Sequence, residues 1–164
     1  PTPRQIVEPI AVTYRAQDDP AWAQEVLGDT GYTMAQEGSL FCSLSMALET
    51  CGVDADPGAL NRAFVDNDMY VNGNAADLTR LSELYPQIVF SAPRDFDGED
   101  ITQALVDGRA CMVRVQKGES AHWLCVVGST SEDFLVLDPA AGDGEARSLA
   151  DFGNVFALAL FDAN

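Results

Sequence analysis

The chain has 164 residues, 47% of them apolar, which is enough for one domain with a real core and too much for a disordered tail. Its 26 acidic residues against 9 basic ones give a formal charge of −17, a surface that repels phosphate backbones and anionic lipids, so no nucleic-acid and no membrane partner is expected. No apolar run reaches the roughly 18 residues of a bilayer span, and the start PTPRQIVEPI lacks the charged-then-apolar pattern of a secretory signal, which predicts a cytoplasmic place of synthesis.

In chain order, VEPIAVTY (7–14) predicts a short strand that Pro9 confines to an edge or a start. DDPAWAQEVLG (18–28) predicts a short helix with Asp19 as cap, Pro20 at its first position and Gly28 at its end. A turn, DTGYTMAQEG, leads to a helix from Ser39 that Gly52 closes. Leu40, Leu44 and Leu48 lie on one stripe of it with Phe41 beside them, and its apolarity on most sides places it at the centre of the domain. DADPGALNRAF opens a helix capped by Asp56 with Pro57 behind it. NAADLTRLSELYP predicts another, stopped by Pro86. QIVFSA is a short strand, and DGEDITQALVDG an amphipathic helix with its acids in front and Gly108 at its end. The pattern then changes: ACMVRVQ, AHWLCVVG, DFLVLDP and NVFALALF are β-type runs separated by turn residues. Helices first and strands afterwards is the α+β order. With no repeat and no low-complexity linker, a single domain over 1–164 is expected.

Cys42, Cys51, Cys111 and Cys125 form no C-x-x-C pair and sit in apolar surroundings, so free buried thiols are expected. One histidine and no cysteine pair argue against a zinc site. In DNDMYVNGNAAD (66–77), Asp66 and Asp68 have the first two spacings of a calcium loop. Tyr70 then stands where a third oxygen belongs and Val71 replaces the turn glycine, so the stretch reads as a polar loop near a cleft. No metal and no cofactor is expected.

Any imidazole chemistry must use His122. The run it opens and the run ending in Asp138 are joined by GSTSED, which predicts an antiparallel hairpin. With its tip on Thr130, His122 faces Asp138, at the ~4.5–5.5 Å between Cβ atoms of a cross-strand pair. A carboxylate there would hold the ring's tautomer and orientation. A one-residue slip would put Pro139 opposite and turn Asp138 to the other face. The same residues also fit a satisfied core histidine beside a tryptophan and an ordinary Asp-Pro turn. Upstream, Gly38-Ser39 marks a helix start, where backbone amides favour a developing anion. Cys42, one turn inside and crowded by apolar neighbours, reads as a core thiol.

AQDDPAWAQEVLG, YTMAQEGS…SLSMAL, GVDADPGALNRAF, DGRACMVRV, AHWLCVVG and LDPAAG occur together and in this order. From about Tyr14 to Gly142 the chain resembles the bacteriocin-leader (double-glycine) peptidase-like family of papain-type cysteine peptidases. The resemblance implies a papain-like α+β fold, with a central N-terminal helix packed on a small antiparallel sheet. The family's nucleophilic cysteine follows a glycine and precedes a helix methionine by seven residues. With Gly38 and Met46 in those roles, its position falls on Ser39. The family's histidine falls on His122, its aspartate before proline on Asp138, and its oxyanion glutamine on Gln17, with Gln36 as a second donor. The chain thus departs from the family at the nucleophile, where a thiol ionises near neutral pH and a hydroxyl does not. Three readings follow: an engineered substitution, a natural pseudo-enzyme kept for binding or assembly, or a working serine nucleophile. The implied substrate is a peptide or isopeptide bond. Short stand-alone members resemble phage-type cell-wall peptidases and virion-associated domains, which implies peptidoglycan cross-bridge peptides as substrate, or other virion or tail proteins as partners of a non-catalytic chain. The acidic surface opposes approach to an anionic wall.

Overall fold

The computed structural model describes residues 5–71, 75–95, 97–117 and 120–163, with Lys117 and Ser120 described by their backbone alone. Two helices meet at Gly38: α1 (Met34–Glu37) and α2 (Ser39–Glu49). α2 is the buried helix that its leucine spacing predicts, with Phe41, Cys42, Leu44, Met46, Ala47 and Leu48 withdrawn from water. At ~1.5–3 kcal/mol for each large apolar side chain buried, this face outweighs the weak helix propensity of the serines among them. Ser45 donates to Ala55 O at 2.6 Å, so its hydroxyl is satisfied inside. At the far end the Thr50 hydroxyl donates to Ala47 O and accepts the Ala110 N–H, tying the helix to the sheet.

α3 (Pro57–Asp66) starts as its cap predicts, Asp56 accepting the Ala59 N–H at 2.8 Å. Then come the ribbon of β1 (Tyr70–Val71) and β2 (Ala75–Ala76), α4 (Leu81–Leu84), β3 (Ile88–Ser91) and α5 (Gly98–Val106). β4 (Cys111–Lys117), β5 (Ser120–Ser129), β6 (Phe134–Leu137), β7 (Arg147–Ser148) and β8 (Val155–Ala163) complete the strands. β3 to β8 form one antiparallel sheet of six strands in the order β3-β8-β4-β5-β6-β7. Alternation along the strands sends Met112, Cys125, Val127, Ala159 and Phe161 to the face under α2 and α3. Val113, Val115, Leu124, Val126 and Leu158 go to the other face, covered by Ile101 and Leu105 of α5.

Four expectations need correction. The helix over 18–28 is a single turn: Asp19 caps it through the Ala21 N–H. Beyond it, Leu27 N–H bonds Tyr32 O and Met34 N–H bonds Glu25 O, so these backbone groups serve a reversal instead of a helix. Gly28 and Gly31 take the positive φ values, +51° and +80°, that this reversal requires. The helix over 74–86 breaks up for a local reason. Asp77 accepts the Thr79 N–H and starts a 3₁₀ turn over Leu78–Arg80, leaving α4 only one turn. Residues 72–74 of the polar stretch lie outside the described residues. The strand over 7–14 reduces to a bridge. Val7 exchanges hydrogen bonds with Ser129 and Ile10 donates to Val127 O, beside β5 where β4 has not yet begun; Pro9 has no N–H to continue.

The fourth correction concerns the hairpin. Thr130 N–H bonds Asp133 O across the tip, and the register shifts between Val126 and Gly128. Cys125 consequently pairs with Leu137, a displacement of two residues from the register in which His122 faces Asp138. The displacement is even, so Asp138 keeps the face that a direct pairing would give it.

Candidate functional site

β6 stops at Leu137, opposite Cys125, so β5 has an open edge from there back to its start. His122 and Trp123 lie on that open stretch, and the N-terminus of α2 and the Asp138–Ala140 turn fill the edge. The Trp123 N–H, which no β6 residue accepts, donates to Ser39 Oγ at 3.0 Å. One residue back, His122 Nε2 meets Asp138 Oδ1 at 2.6 Å, with both side chains buried. A carboxylate only accepts, so the imidazole carries a proton on Nε2.

Asp138 is held from several sides. Its Oδ1 also accepts the Ala140 N–H at 2.9 Å. Its carbonyl accepts the Tyr14 hydroxyl at 2.6 Å and the Ala141 N–H at 3.1 Å. The Gln17 N–H donates to Pro139 O at 2.9 Å. One segment, residues 14–17, therefore pins the turn and brings Gln17 to the site. Tyr14 escapes a reading of the sequence because no local pattern links it to a residue 124 positions away. Burial raises its pKa to about 12, so the phenol stays a donor to more alkaline pH than an exposed tyrosine.

Gln17, His122 and Ser39 line one small cleft of about 210 Å³ together with Gln36 and Ala140. Gln17 sends its amide nitrogen to Met34 O and Ala35 O at 3.3 and 3.4 Å, long bonds, and its Oε1 is buried without a partner. Gln36 uses its Oε1 to accept the Thr33 N–H at the start of α1. Ser39 is the first residue of α2, whose first-turn N–H groups point toward the cleft end of the helix. Cys42 is fully buried and desolvation raises its thiol pKa well above the ordinary range, which makes it inert. Cys51, Cys111 and Cys125 are likewise free and buried. Among the described residues no group of His, Cys, Asp and Glu is placed to hold a metal, and no helix is long and apolar enough to cross a membrane.

A second cleft, of about 700 Å³, opens from Ser39 over the α2 face of the sheet and is lined by Leu40, Phe41, Tyr70, Phe90 and Trp123 among others. Its size is that of a site for a small ligand or a peptide segment.

No protein-family model and no curated protein sequence matches the chain. Among solved structures, a Bacillus anthracis protein described as a C39-like peptidase superposes with a TM-score of 0.65 at 12% identity, over 98% of each chain. The peptidase domain of Streptococcus ComA, a bi-functional ABC transporter involved in a quorum-sensing pathway, superposes with a TM-score of 0.53 at 12% identity, over 77% of this chain and 91% of that one. The fold is thus the papain-like α+β fold of C39-like peptidases, with the antiparallel sheet and buried helix expected of it.

Proposed function

We propose that the chain binds a peptide across Ser39 and that Ser39, His122 and Asp138 form a papain-type catalytic line, weak because its nucleophile is a hydroxyl. The observation that carries this reading is the buried 2.6 Å contact of His122 with Asp138, next to a helix-start hydroxyl bonded to Trp123 N–H. The Ser39 Oγ–H proton would pass to His122 Nδ1 as Oγ attacks the peptide carbonyl carbon. His122 would return that proton to the leaving amine as the C–N bond breaks, leaving an ester at Ser39 that water hydrolyses. Asp138 holds the ring and offsets its charge while it is protonated. The oxyanion would take the first-turn amides of α2 and the Gln17 amide, which gives up only long bonds to turn inward.

The second reading is a chain that keeps the fold and binds without cleaving, including as a part of a virion or tail assembly. The Gln17 amide favours it, because its nitrogen faces backbone carbonyls. Peptidoglycan cross-bridge peptides remain a proposed substrate on the resemblance of short stand-alone chains alone. The −17 charge makes soluble peptides the better first probe.

Comparing the Ser39 chain with Ser39→Cys and Ser39→Ala tests both. Helix amides, the Trp123 N–H and His122 all favour a thiolate at position 39. Ser39→Cys should be alkylated by iodoacetamide at residue 39 at pH 6–7, with Cys42 untouched, and should cleave peptides faster than the Ser39 chain. Alkylation at 39 no faster than at Cys42 overturns the catalytic reading. Enzyme-like turnover by the Ser39 chain, lost in Ser39→Ala, would make the serine a true nucleophile and overturn its weakness.

A further inference from the structure

The larger cleft carries a cation that the proposed chemistry leaves unused. Arg114 stands opposite Trp123 in the β4–β5 ladder and opposite Ala157 of β8, and lines the cleft that reaches Ser39. Its guanidinium carbon lies 5.7 Å from the Trp123 ring centroid and 5.5 Å from that of Phe156. Its Nε is buried with no hydrogen-bond partner. Of the seven described arginines, Arg15, Arg62, Arg80, Arg109 and Arg147 each pair with a carboxylate; Arg94, which is exposed, and Arg114, which is not, do not. With 26 acidic residues available to 9 basic ones, an unpaired guanidinium inside a cleft is the exception in this chain. The two acids that share the cleft are placed for other tasks. Asp77 accepts the Thr79 N–H and hydroxyl at its 3₁₀ turn, and Glu37 is exposed at the Ser39 end, where the two clefts meet.

We infer that Arg114 is a specificity-determining residue that receives a carboxylate of the bound peptide. The two rings lie against the guanidinium, whose forked N–H donors suit a planar partner with two oxygens. The apolar lining of Leu40, Phe41, Tyr70 and Phe90 lowers the local polarity, so a charge-assisted fork there is stronger than at an open surface. The carboxylate comes from an Asp or Glu side chain or from a free peptide C-terminus; both present the same group.

The inference rests on the peptide-binding part of the proposed function and not on the chemistry of Ser39, so its test is a binding measurement on the Ser39 chain. The probes are acetylated and amidated pentapeptide pools with Glu or Gln fixed at each position in turn, and the Gln pools again with a free C-terminus, titrated by calorimetry. At one position, or at the free C-terminus, the carboxylate should tighten binding roughly tenfold or more. The preference should vanish in Arg114→Gln and shrink in Arg114→Lys. A gain confined to the free C-terminus assigns the carboxylate to the chain end; a gain at a fixed Glu assigns it to a side chain. Pools that bind without a carboxylate preference overturn this inference alone, as does a preference that survives Arg114→Gln. Binding of no pool overturns the peptide-binding reading together with it. If Arg114→Gln fails to fold, Arg114→Lys and the Glu-against-Gln comparison in the unmodified chain still decide the matter.

Discussion

Asp138 makes more hydrogen bonds than a turn residue needs, and the reason lies in its burial. A carboxylate taken out of water is tolerated only where donors replace the lost solvent, and His122 and the Ala140 N–H supply them. Removing it leaves a buried imidazole N–H without its acceptor, which costs about 1–3 kcal/mol. Asp138→Ala should therefore lose about 1–3 kcal/mol of stability in urea unfolding, with Asp138→Asn closer to the parent. A loss below ~1 kcal/mol, the size of an exposed pair, would mean that the contact is not maintained in solution. Tyr14 acts one bond further out: it fixes the carbonyl of Asp138 and never reaches the carboxylate.

At the scale of elements, the geometry of the site depends on how closely α1 and α2 approach each other. Gly38 has an ordinary φ of −86°, so its role is steric. A Cβ there would come 2.5 Å from Met34 O and 2.4 Å from Met34 Sδ. The sulfur can swing away and the carbonyl cannot, because it accepts the Gly38 N–H at 2.8 Å. Gly38→Ala should then displace the start of α2, carry Ser39 away from the Trp123 N–H and destabilise the fold by about 1–3 kcal/mol. A thermal melt and the amide shift of Trp123 check this; an unchanged Trp123 amide would show that the junction yields without moving Ser39. The β5–β6 hairpin is the other determinant. Its bulge absorbs one residue, and β6 stops at Leu137, which leaves open the edge that Ser39, Asp138 and Ala140 occupy.

Across the whole molecule, the two apolar clusters trap weak acids in their neutral forms. Burial raises the thiols of Cys51 and Cys111, the latter to about 12, and the phenols of Tyr14, to about 12, and Tyr85. The unfolded chain releases these protons near 9 and 10, the folded chain only at higher pH. Between those limits the unfolded state binds fewer protons, so the stability of the folded state falls as pH rises. Urea midpoints should hold steady up to pH 8 and decline from about pH 9 to pH 12. A midpoint that stays level through pH 11 would mean that these groups are open to solvent. The same burial predicts that a thiol reagent finds almost no reactive cysteine in the native protein and all four after unfolding.

The sequence by itself determined the parts that have local causes. The leucine spacing in 39–49 dictated a buried helix, Asp56-Pro57 its successor, and the apolar runs after residue 110 the strands. The Gly38-Ser39 start, the lone His122 and Asp138 before proline marked the residues that now lie together. Tertiary structure decided the rest. Residues 25–28 left the helical path because a chain reversal took up their hydrogen bonds, and residues 78–80 because Asp77 captured a backbone N–H. The hairpin register moved by two residues because a four-residue tip and a one-residue bulge stand where a tight turn on Thr130 is expected, and an even shift happened to keep His122 and Asp138 on one face. Tyr14 beneath Asp138 and Arg114 between Trp123 and Phe156 have no trace in spacing. Their partners are across strands or far along the chain, and periodicity records which side of an element is buried without recording what it meets there.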